Sequence, residues 1–207
     1  MSGAKGFISF EGTEGSGKST HARHLAEYLK KKGHDVIVTE EPGGTDIGRS
    51  IRGLLLDPKS RMDPMTELLL YYSSRAQHVR EVIYPALLNN TIVITDRFTD
   101  STVAYQGYAR GIDLSIISAL NEIVVPDLKP FITFLLDLDV EEGLRRNRRA
   151  NKEDRFELET IEFHNSVRKG FLRIAEEDSK RVKVIDASRG AEEVSREILT
   201  IMEDSWV

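Results

Sequence analysis

Cysteine is missing from all 207 residues, which excludes disulfide bridges and thiolate metal sites and fits a reducing compartment. Long apolar runs are missing too. None approaches the ~20 residues that a bilayer-spanning helix requires, and Met1-Ser2-Gly3-Ala4-Lys5 opens no apolar signal segment. A cytoplasmic chain with no membrane association is the expectation. Nor is there an excess of basic residues: Lys and Arg number 29 against 34 Asp and Glu, a net charge of −5. A general nucleic-acid binder shows a broad basic surface, so nucleic acid is not an expected partner. Any anion must be met by a local cluster. Internal repeats, low-complexity tracts and Gly/Ser linkers are absent, and the length suits one α/β domain over 1–207.

What is present begins with Phe7-Ile8-Ser9-Phe10-Glu11 followed by Gly12-Thr13-Glu14-Gly15-Ser16-Gly17-Lys18-Ser19-Thr20. This is a G-x-x-x-x-G-K-[ST] loop between an apolar strand and a helix-forming run, the context that its chemistry requires. The glycines let successive N–H groups face inward around an anion, and the following helix adds the partial charge of its N-terminus. Lys18 can reach the β- and γ-phosphates, and the Ser19 hydroxyl can ligate Mg²⁺. The segment predicts binding of a nucleoside triphosphate, with residues 12–20 as its cradle.

Apolar strand-like runs at 7–10, 36–39, 92–95, 132–136 and 182–185 alternate with longer helical patterns. The alternation predicts a five-stranded parallel sheet with helices on both faces. Helices are expected at 18–32, 48–56, 66–88, 114–123, 140–149, 161–176 and 191–203, with a kink or break where Pro85 removes a donor. Ligands of such sheets bind beyond the carboxyl ends of the strands. That rule gathers the loop segments 12–18, 40–44, 96–106, 137–139 and 186–189 at one edge.

Four constellations fall in or near those segments. Asp96-Arg97 follows the third apolar strand, so Asp96 can join Ser19 on Mg²⁺ and Arg97 can fork onto phosphate; a surface ion pair is the plainer alternative. Glu40-Glu41-Pro42-Gly43-Gly44-Thr45 makes a punctuated turn, after which Arg49 and Arg52 share a helix face. Either arginine can clamp a second phosphoryl group. Tyr71 and Arg75 lie four apart on one helix face, suited to stack on and donate to a base, although Leu68-Leu69-Leu70-Tyr71-Tyr72 also reads as core and Tyr72 competes with Tyr71. The tract Arg145-Arg146-Asn147-Arg148-Arg149 through Arg155 is read as a mobile lid, about 145–156, in preference to a solvated charged face or a nucleic-acid patch. The five histidines, His21 and His24 among them, form no metal-ligand pattern and read as surface or packing residues. No Ser-His-Asp triad or paired-carboxylate hydrolase pattern is evident.

Taken together, the phosphate loop, Glu41-Pro42-Gly43-Gly44-Thr45, Tyr71-Tyr72-Ser73-Ser74-Arg75, Asp96-Arg97-Phe98, Ser101-Thr102-Val103-Ala104-Tyr105-Gln106-Gly107 and Asp154-Arg155-Phe156-Glu157 resemble the thymidylate kinase family, in family order along the chain. The resemblance implies a P-loop NTPase fold of the nucleoside monophosphate kinase type, with ATP and dTMP as substrates, Mg²⁺ as cofactor, and a homodimer packed through helices. It implies that Glu14 contacts the acceptor's sugar and phosphate region, that Arg97 and then Arg52 clamp the acceptor phosphate, and that Tyr71 stacks on thymine. It places Arg75 on the base O4, and Thr102 with Gln106 (in one segment with Ser101) on the N3 edge, with Tyr105 under the sugar. Relatives of the eukaryotic type carry Arg where Gly15 stands. This chain has its arginines in the lid instead, as bacterial-type members do, so Arg145, Arg146, Arg148 and Arg149 become candidates for the transition-state cation, Arg146 and Arg149 foremost. A deoxynucleoside kinase and a non-catalytic P-loop nucleotide-binding module are the rival readings.

Overall fold

The computed structural model describes residues 4–149 and 154–206. Its strands are β1 (Ala4–Glu11), β2 (Val36–Glu40), β3 (Ile92–Asp96), β4 (Pro130–Asp137) and β5 (Val182–Asp186). They form the parallel five-stranded sheet that the sequence predicts, and its strand order is β2-β3-β1-β4-β5. The helices are α1 (Lys18–Lys31), α2 (Asp46–Leu56), α3 (Pro64–His78), α4 (Tyr84–Leu88), α5 (Thr99–Thr102), α6 (Leu114–Val124), α7 (Val140–Arg149), α8 (Ile161–Glu177) and α9 (Ala191–Trp206).

Period-two alternation sends successive strand residues to opposite faces, and both faces are covered. Ile8, Phe10, Ile94, Phe134, Leu136 and Ile185 pack on one side with Leu25 and Leu29 of α1 and Val194 and Ile198 of α9. Phe7 and Val93 on the other side meet Val79, Ile83 and Phe98, while Leu135 and Val182 meet Val167 and Phe171 of α8. Burial of each such side chain contributes roughly 1.5–3 kcal/mol.

Two helical expectations are corrected. The run 66–88 is not one helix with a break at Pro85: a π-helical turn, Val79–Ile83, separates α3 from α4. Pro85 sits in the first turn of α4 and has no N–H for the ladder behind it, so the break is taken up one turn earlier. Segment 96–106 is likewise not a plain loop. It contains α5 and a second π-helical run, Val103–Ala109. Its Thr and Val residues have little helix propensity of their own, and packing of Ala104 and Tyr105 against Phe163, Val167 and Phe171 of α8 holds it.

A polar seam crosses the second face. Ser9 and Thr133 share a hydrogen bond of 2.7 Å, and Arg181 reaches through to Asp100 with bonds of 2.6 and 3.0 Å. Beside it Glu11 accepts from the Phe98 N–H at 2.7 Å and from the Ser101 hydroxyl at 2.5 Å. Burial and the nearby Asp100 charge push the Glu11 carboxyl up to about 7, against the bond from Ser101. This carboxylate ties the start of the phosphate loop to the segment after β3.

The loop also touches α7 directly. Gly15 has φ +70, and a Cβ there would lie 2.2 Å from the Gly143 carbonyl oxygen; a Cβ on Gly143 would lie 2.4 Å from the Glu14 carbonyl oxygen. Two backbones meet with no space for either side chain. Gly143→Ala is therefore expected to destabilise the protein by about 1–3 kcal/mol through overpacking, although alanine in a helix is otherwise worth up to ~1 kcal/mol over glycine. Denaturant unfolding of the two proteins checks the sign.

Candidate active site

At the carboxyl edge of the sheet the loop after β1 curls through Gly12, Gly15 and Gly17, all at positive φ, and Gly17 delivers the chain into α1. No acidic residue stands in the first turn of α1, so no side chain of the helix itself offsets its N-terminal partial charge. Lys18 Nζ donates to the Thr13 carbonyl at 2.8 Å, and Ser16 Oγ donates to the same carbonyl at 2.9 Å. Burial and the Arg97 charge lower Lys18 to about 8, with Asp96, Glu14 and Glu11 pulling the other way. Ser19 Oγ donates to Asp96 Oδ2 at 2.5 Å, which brings a hydroxyl and a carboxylate together beside the phosphate cradle. An all-oxygen pair of this kind suits a hard divalent cation such as Mg²⁺ that keeps most of its waters.

Arg97 occupies the centre. Its backbone is left-handed at φ +71, unusual for a residue with a long side chain, and its N–H is held by the Phe10 carbonyl at 2.9 Å. From there the guanidinium donates to Gly12 O at 3.0 Å and to Ser101 Oγ, Glu14 Oε1 and Tyr105 OH at 3.1 Å each. It is no surface ion pair, and it is not aimed into solvent. The Tyr105 hydroxyl donates to Glu14 Oε1 at 2.5 Å. Burial raises the Glu14 carboxyl, but the nearby His164 ring, the Arg97 and Lys18 charges and the Tyr105 bond outweigh it and hold the group far below the usual carboxylate range.

A cavity of about 400 Å³ lies in front of these groups. Among the described residues, six cationic side chains (Lys18, Arg23, Arg52, Arg75, Arg97, Arg146) and five acidic ones (Glu14, Glu40, Glu41, Asp96, Asp154) line it. Its far wall is formed by Tyr71, Arg75, Thr102, Tyr105, Gln106 and Phe156. Both ambiguities left by helical spacing are resolved here. Tyr71 faces the cavity, whereas Tyr72 is buried and donates its hydroxyl to the Ile117 carbonyl at 3.0 Å. Arg52 faces the cavity and donates to the Pro42 carbonyl at 2.7 Å, while Arg49 is exposed and paired with Asp46 on its own helix.

Arg75 is buried between the rings of Tyr72 and Phe98, with Nε on Glu41 at 2.7 Å and Nη2 on the Phe98 carbonyl at 3.0 Å. Its Nη1 has no hydrogen-bond partner among the described residues, and neither has Thr102 Oγ1. Burial of that kind is costly unless something else pairs the group, so both are ready to meet a ligand.

The histidines are more than packing. His78 donates or accepts through Nδ1 with Glu41 at 2.9 Å and through Nε2 with Thr39 at 2.7 Å, so it backs the carboxylate that holds Arg75. His164 is buried with Nδ1 3.4 Å from Glu14 Oε2. The spacing of Glu67, Tyr71, Arg75 and His78 on one stripe of α3 was the available signal. Two expected segments do not reach the cavity: Asp137 is paired with Arg168 at 2.7 Å, and Asp186 caps its own turn through Ser188. In the lid tract, Arg146 lines the cavity while bonded to Glu142 at 2.9 Å and to the Ala187 carbonyl at 3.1 Å. Arg145 pairs with Glu142 and Arg148 is exposed. The Arg149 side chain and residues 150–153 lie outside the described residues.

Comparison with known proteins agrees with this geometry. The family model described as thymidylate kinase matches residues 10–198. A thymidylate kinase of Halothermothrix orenii is 51% identical over 195 residues, and one of Geotalea uraniireducens 50% identical over 199 residues; in each case 93% of both chains is covered. A crystal structure of thymidylate kinase from Ehrlichia chaffeensis superposes with a TM-score of 0.77 at 39% identity, covering 95% of this chain and 97% of that one. A loop for one polyanion, a second set of arginines facing it, and this extent of likeness lead to one conclusion: the chain belongs to the thymidylate kinase family, kinases of the P-loop nucleoside monophosphate type.

Proposed function

We infer that this protein transfers the γ-phosphoryl group of ATP to dTMP, giving ADP and dTDP. The observation that carries the reading is Arg97. Its guanidinium joins the phosphate loop (Gly12 O) to the wall that ends in Tyr105 and Arg75, at the place where a donor phosphate and an acceptor phosphate would meet. Residues 12–20 would cradle the donor, with Lys18 on its outer phosphates. Mg²⁺, held by Ser19 and Asp96, would supply charge neutralisation at the β- and γ-oxygens.

The acceptor's phosphate oxygen attacks the γ-phosphorus, and the bond to the β-bridging oxygen breaks. That oxygen is already anionic, so no strong general base is needed, and the chain's contribution is position and positive charge. Arg97 and Arg52 hold the acceptor phosphate, Glu14 and Tyr105 the sugar, and Tyr71 stacks on the base. Arg75, Thr102 and Gln106 read the base edge. With glycine at position 15, the remaining cation comes from the end of α7, through Arg146 and Arg149. Closure of the lid, about 145–156, keeps water from the γ-phosphoryl. No described helix is long and apolar enough to cross a membrane, and a cytoplasmic location is proposed. A homodimer is proposed too, through the exposed Met65 and Leu69 of α3 and Ile116 and Ile123 of α6, since α3 and α6 pack on each other.

Four outcomes are expected. Arg97→Ala lowers kcat with dTMP by about 10³-fold or more while ATP affinity, read by calorimetry, changes only a few-fold; thymidine in place of dTMP gives no turnover in the same coupled assay. Because free Lys18 titrates near 8, ATP binding takes up a proton above that pH and weakens as pH rises further. Calorimetry in buffers of differing ionisation enthalpy shows this uptake at pH 9 and little of it at pH 6.5. Leu69→Glu together with Ile123→Glu yields a monomer by analytical ultracentrifugation.

A further inference from the structure

Glu67 is among the most deeply buried charged residues of the described chain, and it does not line the cavity. It stands behind the cavity wall, on the same stripe of α3 as Tyr71 and Arg75. Its carboxylate is paired with Arg110 at 3.2 Å and Arg155 at 2.6 Å. A third donor completes its shell: Gln106 Nε2 gives a hydrogen bond of 2.8 Å to Glu67 Oε1. Arg110 is anchored further by Glu159 at 2.6 Å, and its guanidinium lies 4.5 Å from the centre of the Phe163 ring, so one of the two cations beside the carboxylate is itself held in place.

This arrangement has a chemical consequence for Gln106. A carboxamide can be turned end for end at little steric cost, and its two ends have opposite hydrogen-bond character. A carboxylate between two guanidiniums only accepts. Gln106 must therefore turn its NH₂ toward Glu67, which leaves the carbonyl oxygen as the polar end facing the cavity that Gln106 lines. Arg75 lines the same cavity, and its Nη1, without a partner among the described residues, can only donate. A donor and an acceptor presented to one cavity match the C4 carbonyl and N3–H of a pyrimidine-2,4-dione. They oppose cytosine, which presents an amino group and an unprotonated ring nitrogen at the same two places.

We propose that Glu67 is a positioning residue for base selectivity: it locks the Gln106 carboxamide in the one orientation that admits a thymine-type edge and rejects a cytosine-type edge. The proposal rests on the reading that the base lies before Arg75 and Gln106. Glutamine at 67 would offer both a donor and an acceptor, so that either orientation of Gln106 could be satisfied and the lock would be lost.

The test is the ratio of kcat/KM for dTMP to that for dCMP. A site that leaves a buried polar group unpaired against the wrong ligand discriminates strongly, so Glu67→Gln is expected to lower the ratio at least tenfold, with kcat for saturating dTMP changed less than threefold. Equal losses for both substrates, with the ratio unmoved, would show a merely structural role and overturn the proposal. Gln106→Met separates the two layers of the argument. If it collapses the ratio and Glu67→Gln does not, the lock is wrong while the base reading stands; if neither variant moves the ratio, the base lies elsewhere. Should Glu67→Gln not fold, side-chain amide NMR of the wild type decides. The Gln106 NH₂ signal, assigned by its loss in Gln106→Met, is expected to be exchange-protected without ligand and nearly unshifted by dTMP. A signal that is unprotected, or that moves strongly on binding, refutes the lock.

Discussion

Positive charge that is to receive two polyanions has to be assembled before they arrive, and here most of the arginines that line the cavity are held by carboxylates. Arg97 has Glu14, Arg75 has Glu41, Arg52 has Glu40 and Arg146 has Glu142, while behind the wall Arg110 and Arg155 share Glu67 and Arg181 has Asp100. Removing one partner of a buried pair typically costs about 3–5 kcal/mol, because the other is left uncompensated. The pairs therefore act as a frame that can hold a guanidinium in place and still leave one of its donors uncommitted. Arg75 shows this at the level of single atoms, with Nε and Nη2 bonded and Nη1 open. Such pre-positioning reduces the ordering that binding would otherwise have to impose.

The frame extends into the sheet. Glu11, at the last position of β1, accepts from Phe98 N–H and Ser101 Oγ, which ties the phosphate loop to the segment after β3. The backbone of α7 lies against the loop where Gly15 and Gly143 meet. A side chain at position 15 would collide with that helix, so an arginine rooted in the loop is sterically incompatible with α7 in this place. The same contact sets the basic end of α7 beside the loop, and Arg146 lines the cavity from there.

The sheet, the phosphate loop and the helices that cover the first face were legible because their signals are local. Alternation of period two, glycines before Lys18, and the spacing of Leu25 and Leu29 each depend on neighbours a few residues away. The helical run after β3 was illegible for the opposite reason. Its residues have poor helix propensity, and contacts with α8, some sixty residues further along, hold it together. The turn before Pro85 shows an intermediate case, where the proline announces a break and packing decides where the break falls.

Within the site, residue type and spacing determined what chemistry was available: a triphosphate cradle with Lys18 and Ser19, an Asp-Arg pair at a strand end, and an aromatic four residues from an arginine. The three-dimensional packing alone decided between members of each near-equivalent pair. Tyr71 and Tyr72 both lie within one turn of Arg75, and Arg49 and Arg52 share a face, so helical period cannot rank them. The position of α6 buries Tyr72, and the carbonyl of Pro42 draws Arg52 inward. The supporting carboxylates and imidazoles, Glu41, Glu67, His78 and His164, were hidden for the same physical reason. A local pattern records which face a residue takes, whereas a hydrogen bond between α3 and a residue thirty or forty positions away exists only once the chain has folded.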